Sequence, residues 1–251
     1  ALIDQLKQAL KLENFIAKHF RIGRREARAR IVSGEISVAG QPESNHRREV
    51  NRFEEVSAAG EILQRALSRL YLMVHKPAGI LSATSDPLHR TILDLIEHPD
   101  KDTLHLAGRL DRSSTGLVLL TNDGNWSESL TLPGRKVEKV YLVETDRDIP
   151  EEAILRFEEG FHFPTEGITT LPAKLELLGP RKAKVTLREG RYHQIKRMFH
   201  RIDGIRLASL HRTRIGGISL PDELEPGEWR FLTAQEAHTL PFDEMPDHGN
   251  H

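Results

Sequence analysis

Apolar residues recur at helical spacing from about residue 2 to residue 20, with Leu6, Leu10, Phe15 and Ile16 among them, and Gly23 interrupts the pattern. The spacing predicts a first helix there. A second, short helix is expected over residues 24–32, ending at Ser33-Gly34, where glycine accepts the left-handed backbone that closes helices. Ile36-Ser37-Val38 alternates as a strand, and Ala39-Gly40-Gln41 turns into another. Between about Ser57 and Ser68 the pattern loosens, which marks a linker. Tyr71-Leu72-Met73-Val74 then opens a larger domain as a strand, closed by His75-Lys76-Pro77-Ala78-Gly79.

Further on, a brief helix is expected over 91–96, and Leu104-His105-Leu106 leads to a loop before the buried-strand pattern Leu117-Val118-Leu119-Leu120. Asn122-Asp123-Gly124 is a turn ahead of a short helix at 126–130. Strands are expected over 137–143, 173–178, 183–187 and 205–210, and helices over 150–159 and from Tyr192 to about Arg201. Thr233-Ala234-Gln235-Glu236 is a capping-box pattern for a last helix. Many strands with interspersed short helices, rather than regular alternation, predict an α+β fold. The expected division is a small module at 1–57, a linker at 58–68, a large domain at 69–240, and a polar, proline-containing tail at 241–251 that is expected to be disordered.

Length and composition agree with two domains: 251 residues exceed the usual single-domain size, and 38% apolar content suffices for a core. No apolar run is long enough to span a membrane, and the N-terminal stretch lacks a signal-peptide block, so a cytoplasmic location without membrane partners is expected. The absence of cysteine excludes disulfide and thiolate chemistry. The thirteen histidines are scattered without metal-ligand spacing, so no metal is expected. A net charge of −1 hides a strong asymmetry. Residues 18–52 carry nine Lys/Arg against four Glu, and residues 181–214 carry eleven against Glu189 and Asp203. Such local charge suits a polyanion even when the total is near zero.

The stretch with the clearest chemistry is Gly108-Arg109-Leu110-Asp111-Arg112-Ser113-Ser114-Thr115-Gly116, one carboxylate between two arginines in a loop that enters a buried strand. An Asp in such a turn otherwise serves to hydrogen-bond backbone amides. Two further segments change its reading: Lys139-Val140-Tyr141-Leu142-Val143, and Glu189-Gly190-Arg191-Tyr192-His193-Gln194-Ile195-Lys196-Arg197-Met198. In this order the three resemble the catalytic motifs of the pseudouridine synthases, in the branch that acts on ribosomal RNA and includes enzymes of the small-subunit rRNA. The region before them resembles the small alpha-L RNA-binding module, although Ala39 stands where its turn commonly has Asn.

The resemblance implies a catalytic domain with a central mixed, mostly antiparallel sheet split by a cleft, and the conversion of uridine to pseudouridine in ribosomal RNA. Uracil is detached at nitrogen 1 and rejoined through carbon 5, so nothing enters or leaves and no cofactor is expected. It assigns the carboxylate to Asp111, the ring against uracil and a proton relay to Tyr141, and the aliphatic contact on the other face of the base to Ile195. Burial alone favours a neutral acid, whereas a nearby cation favours the ionised one. Lys196 is the candidate for that cation, with Arg109 and Arg112 as alternatives from spacing. Arg191, Gln194 and Arg197 are expected around the mouth of the cleft, and Arg109 and Arg112 are expected to hold RNA phosphates near the site. Arg24, Arg25 and Arg28 are expected to contact RNA phosphates from the second helix. Lys76 is either an RNA contact or a strand end.

The partner implied is ribosomal RNA or a small-subunit assembly intermediate, met by a monomer. Large-subunit rRNA is the alternative substrate. Two readings from other classes remain open on the residues: a ribosome-assembly factor that binds RNA without catalysis, and a hydrolase pairing Asp111 with Asp123.

Overall fold

The structure is a computed structural model that describes residues 9–239. The early apolar positions Leu2 and Leu6 and the tail 241–251 therefore lie outside the described residues. The chain divides into two units, Ala1–Arg69 and Leu70–His251.

The first unit contains β1 (Leu10–Lys11), α1 (Leu12–Phe20), α2 (Arg24–Val32), β2 (Ile36–Val38), β3 (Gln41–Pro42), β4 (Glu49–Val50), β5 (Val56–Ala58) and β6 (Glu61–Gln64). Leu12 and Ile16 of α1 and Ala27 and Ile31 of α2, spaced by four residues, bury one face of each helix against Ile36, Val38 and Val56. The first helix starts later than its apolar spacing suggests, because Leu10 and Lys11 pair with Val50 and Glu49 instead. The expected linker at 58–68 is corrected as well. Much of it is the second half of a hairpin in the four-stranded sheet β3-β2-β5-β6. That hairpin turns on Ala59 and Gly60, with φ of 48° and 87°, as the earlier one turns on Ala39 and Gly40, with 52° and 76°. Both central residues are left-handed in each turn, which matches the twist of a hairpin. The boundary between units falls at Arg69 and Leu70.

The second unit carries β7 (Tyr71–Lys76), β8 (His105–Leu106), β9 (Thr115–Thr121), β10 (Lys139–Thr145), β11 (His162–Phe163), β12 (Ile168–Thr169), β13 (Lys174–Gly179), β14 (Lys182–Leu187), β15 (Leu207–Ile215), β16 (Ile218–Ser219) and β17 (Trp229–Phe231). Its helices are α3 (Gly124–Thr131), α4 (Ala153–Glu159), α5 (Gln194–His200) and α6 (Ala234–His238). The main sheet runs β13-β14-β10-β15-β9-β7-β17, with β8 and β16 paired beside it. Every pairing in it is antiparallel except β9 with β15.

Both faces of this sheet are covered, which explains the uninterrupted apolar run of β9. Leu72, Val74, Val118 and Leu120 enter a core that Ile195, Met198 and Phe199 of α5 complete. The alternate residues Met73, Leu117 and Leu119 enter another with Trp126 and Leu130 of α3. The Trp126 indole N–H donates to the Ala237 carbonyl at 3.0 Å, which fastens α6, and α6 begins with the expected capping box of Thr233 and Glu236. The two halves of the sheet join through two residue pairs, His211 with Thr115 and Arg212 with Gly116. The loop 109–114 enters β9 at this seam.

Candidate active site

The seam requires glycine at position 116. With φ of 106°, a Cβ there would lie 2.2 Å from the Arg212 carbonyl oxygen, so the close approach of β9 and β15 depends on its absence. The loop before it is held by side chains that reach its backbone from below. Lys76 is fully buried at the end of β7, and its ammonium donates to the carbonyls of Ser114 at 2.7 Å, Pro77 at 3.0 Å and Arg112 at 3.2 Å. Arg212, also buried, donates from Nε to the Leu117 carbonyl at 2.8 Å and from Nη1 to the Arg109 carbonyl at 3.2 Å. Ser82 Oγ donates to the Leu110 carbonyl at 2.7 Å and accepts the Leu110 N–H at 3.0 Å. Burial pushes the Lys76 ammonium down to about 8; the Asp111 carboxylate opposes this and the Arg212 charge adds to it.

The carboxylate that this loop presents is met by two side chains of the basic segment. Lys196 Nζ stands 3.0 Å from Asp111 Oδ2, and His193 Nε2 stands 3.2 Å from Oδ1. Lys196 also donates to Ser113 Oγ at 3.2 Å. His193 reaches the acid because its backbone is left-handed, with φ of 48° at the residue before α5, and its ring stacks on Tyr192 at 3.8 Å between centroids. A left-handed non-glycine residue costs free energy and is held where the surroundings fix it.

The carboxylate opens on a cleft of about 910 Å³ with walls from both halves of the sheet. Tyr141 and Lys139 lie on the same face of β10 and both line it, with Ile195 and Arg212. Tyr141 and Ile195 are buried, and the Arg212 guanidinium lies 6.0 Å from the Tyr141 ring centroid. Burial, and after it the Arg212 charge, lowers the pKa of Lys139.

The family model for RNA pseudouridylate synthase matches residues 70–201, the segment that carries all of these motifs. The chain belongs to the RNA pseudouridylate synthase family. A protein of Pseudomonas aeruginosa named ribosomal small subunit pseudouridine synthase A is 47% identical over 90% of this chain and 98% of its own. Its namesake in Escherichia coli K12 is 38% identical over the same shares. A solved structure described as pseudouridylate synthase is 36% identical, with a TM-score of 0.68, over 92% of this chain and 99% of its own.

Within this pseudouridylate synthase the remaining expected site residues fall into different places. Arg109 and Arg191 line the cleft and are exposed, and Arg191 Nε donates to Glu189 Oε2 at 3.0 Å. Gln194 differs from a free group at the mouth. It is buried and its amide is spent within the turn, donating to Glu189 Oε1 at 2.6 Å and accepting the Arg191 N–H at 3.0 Å. Arg197 does not line the cleft; it pairs with Glu166 at 2.6 Å and lies 4.0 Å over the Phe163 ring. Arg112 is not the ion-pair partner of Asp111, for its Nε donates to the Gly79 carbonyl at 3.1 Å. Lys76 is neither an RNA contact nor a simple strand end, since it is buried under the loop.

The pairing of Asp111 with Asp123 is ruled out by placement. Asp123 caps α3, accepting the Asn125 and Trp126 N–H groups at 3.1 and 3.3 Å and the Tyr71 hydroxyl at 2.9 Å, and it does not line the cleft. In the first unit, Arg24 and Arg25 are exposed on the first turn of α2. Arg28 instead forms an ion pair with the buried carboxylate of Glu13, which His46 Nδ1 also meets at 2.8 Å. The Arg28 hydrogen bond is the main cause that holds Glu13 down to about 2.

Sequence reasoning missed His193, which carried no metal-ligand spacing and was not among the expected site residues. The usable signal was its place between the Gly190 turn and the Ile195-Lys196 segment. A residue there begins a helix from an irregular backbone, and its ring is free to turn toward whatever the next helical turn faces.

Proposed function

We propose that this protein converts uridine to pseudouridine in small-subunit ribosomal RNA, with Asp111 as the reacting carboxylate. The observation that carries the proposal is the Asp111 carboxylate held between Lys196 and His193 in a cleft walled by Tyr141 and Ile195. The name and full-length coverage of the relatives support the choice of small-subunit RNA.

The reaction breaks the bond between ribose carbon 1′ and uracil nitrogen 1, forms one from carbon 1′ to carbon 5, and moves the carbon 5 proton to nitrogen 1. Asp111 acts as nucleophile or base at the nucleoside, with Lys196 and His193 in contact with its carboxylate. Tyr141 and Ile195 form the faces between which a free uracil turns without escaping, and the Tyr141 hydroxyl relays the proton from carbon 5. The target base reaches Asp111 from a loop or by flipping out of its stack. The exposed Arg24 and Arg25 make the first unit an RNA-binding module that helps hold the strand. This reading carries with it a cytoplasmic site of action, no cofactor, and action as a monomer.

The deciding experiment is tritium release from small-subunit rRNA labelled at carbon 5 of uridine, offered naked and as a protein-bound assembly intermediate. Release by wild type and none by Asp111→Asn is the expected result. Release by both proteins removes Asp111 from the chemistry. No release from either form, with release from large-subunit rRNA, moves the substrate to that RNA.

A further inference from the structure

The basic run from Arg181 to Arg214 has eleven lysines and arginines, and the structure accounts for most of that charge. Eight of the eleven stand in ion pairs with carboxylates. Arg212 is internal and bound to carbonyls. Arg201 and Arg206 remain, both exposed, and among the described residues no carboxylate lies within ion-pairing distance of either guanidinium.

Both of these arginines open on a second cavity of about 620 Å³. It shares Ser114, His193, Lys196 and Leu210 with the reaction cleft, so the residues that flank Asp111 form a common wall between the two spaces. No carboxylate lines it, and its apolar lining comes from Phe163, Ile205, Leu207, Ala208 and Leu210. The Arg201 guanidinium lies 5.5 Å from the Phe163 ring centroid, within reach of its π face. An acidic peptide would meet the cations and leave the apolar surface unused. An apolar ligand would bury the guanidinium groups unpaired, at a cost. A nucleotide supplies both a flat base and an anionic phosphate.

We propose that this second cavity holds the nucleotide adjacent to the target uridine, with the connecting phosphodiester on Arg201 and Arg206 and the neighbouring base on the apolar surface. The proposal rests on the reading of the first cleft as the uridine site. A strand that delivers a uridine to Asp111 then passes Lys196 and His193 and is gripped one nucleotide away. That grip offsets the unstacking that base flipping requires.

A binding cycle tests it with a five-nucleotide RNA that has a central uridine, and with two analogues in which the linkage on one or the other side of that uridine is a neutral methylphosphonate. For wild type, one of the two analogues is expected to bind at least tenfold more weakly than the parent. For Arg201→Ala/Arg206→Ala, the parent is expected to bind as weakly as that analogue does to wild type, and the analogue no worse than the parent. Both arginines are exposed, so circular dichroism of the variant should match wild type. Equal losses on neutralising the linkage in wild type and variant, or no loss in either, overturn the proposal. Tritium release from rRNA by wild type is read separately. An intact binding cycle without tritium release supports the nucleotide site and counts against the synthase reading.

Discussion

Two sets of cations surround the same residue, and they differ in what they touch. Lys76 and Arg212 are buried beneath the loop and donate to its carbonyls, Lys76 to Arg112 and Ser114 and Arg212 to Arg109, so they fix where the Asp111 backbone lies. Lys196 and His193 are partly exposed and meet the carboxylate itself. A buried cation without a carboxylate beside it is costly unless its donors are satisfied, and three carbonyls satisfy those of Lys76. The lesson is a division of labour by depth, in which buried charge holds the backbone of the acid and charge in the cleft meets its carboxylate.

The comparison breaks most severely at Lys196. Replacing it by Met leaves the fold and RNA affinity largely intact but removes the cation 3.0 Å from Asp111. Turnover should fall by about 10³-fold or more, on the order of 4 kcal/mol in the barrier. Single-turnover rates at saturating RNA check this, and wild-type turnover would remove the ion pair from the mechanism.

Lys76→Met probes the other set. Its main effect is on stability, a loss of about 1–3 kcal/mol from carbonyls left without a donor, with turnover lowered by about 10²-fold as Asp111 shifts. The two variants should therefore separate in a denaturation experiment, where Lys196→Met unfolds like wild type and Lys76→Met does not. The pH dependence sharpens the point. Because the folded protein holds Lys76 at about 8, below its ordinary 10.5, the unfolded chain binds more protons between those values. This group makes wild type more stable as pH rises from about 8 to 10.5, and makes that gain disappear as pH falls through 8. The rise should be absent in Lys76→Met.

His193 is the finer test of the cleft set. His193→Gln keeps a donor near Asp111 Oδ1 but loses the imidazole and its stacking on Tyr192. A reduction of about tenfold in turnover is expected, equivalent to the weakening of one charge-assisted hydrogen bond. Steady-state kinetics should place it in kcat rather than KM.

The legibility of these parts followed their physics. Asp111, Tyr141, Ile195 and Lys196 were singled out through the resemblance of their segments to the family's motifs, and the structure brings all four to one cleft. The buried strand β9 was legible because both of its faces are covered and it contains no polar interruption before Thr121. β15 was foreseen only as far as Leu210, because His211, Arg212 and Arg214 read as surface. Arg212 is buried and the other two are half-buried, which depends on partners in β9 and β10 that no local pattern reveals. The hairpin at Ala59-Gly60 was read as a linker because alanine seldom marks a left-handed turn, and Ile62 and Leu63 do not alternate with polar residues. The roles of Lys76 and Gln194 were hidden for the same reason as Arg212, since each is defined by carbonyls or carboxylates distant in sequence or buried in a turn.

The smallest expected effect distinguishes cations within the first unit by the same principle of what they already touch. Arg24 and Arg25 are exposed, whereas Arg28 is engaged by Glu13. Arg24→Ala/Arg25→Ala should leave the stability of the unit within about 0.5 kcal/mol of wild type. It should weaken RNA binding across sequences and reduce the slope of log K against log salt by about 1–2. Arg28→Ala should do the reverse, with little change in the salt slope and a less stable unit. Its effect also has a defined acid limb. Glu13 is held at about 2 rather than 4.5, so the stability it contributes is full above 4.5 and is lost as pH falls toward 2. In Arg28→Ala that loss should be smaller, because the main cause of the lowered value is gone. Equal salt slopes in the two variants would show that Arg28 leaves Glu13 for the RNA, and would place all three arginines in one binding surface.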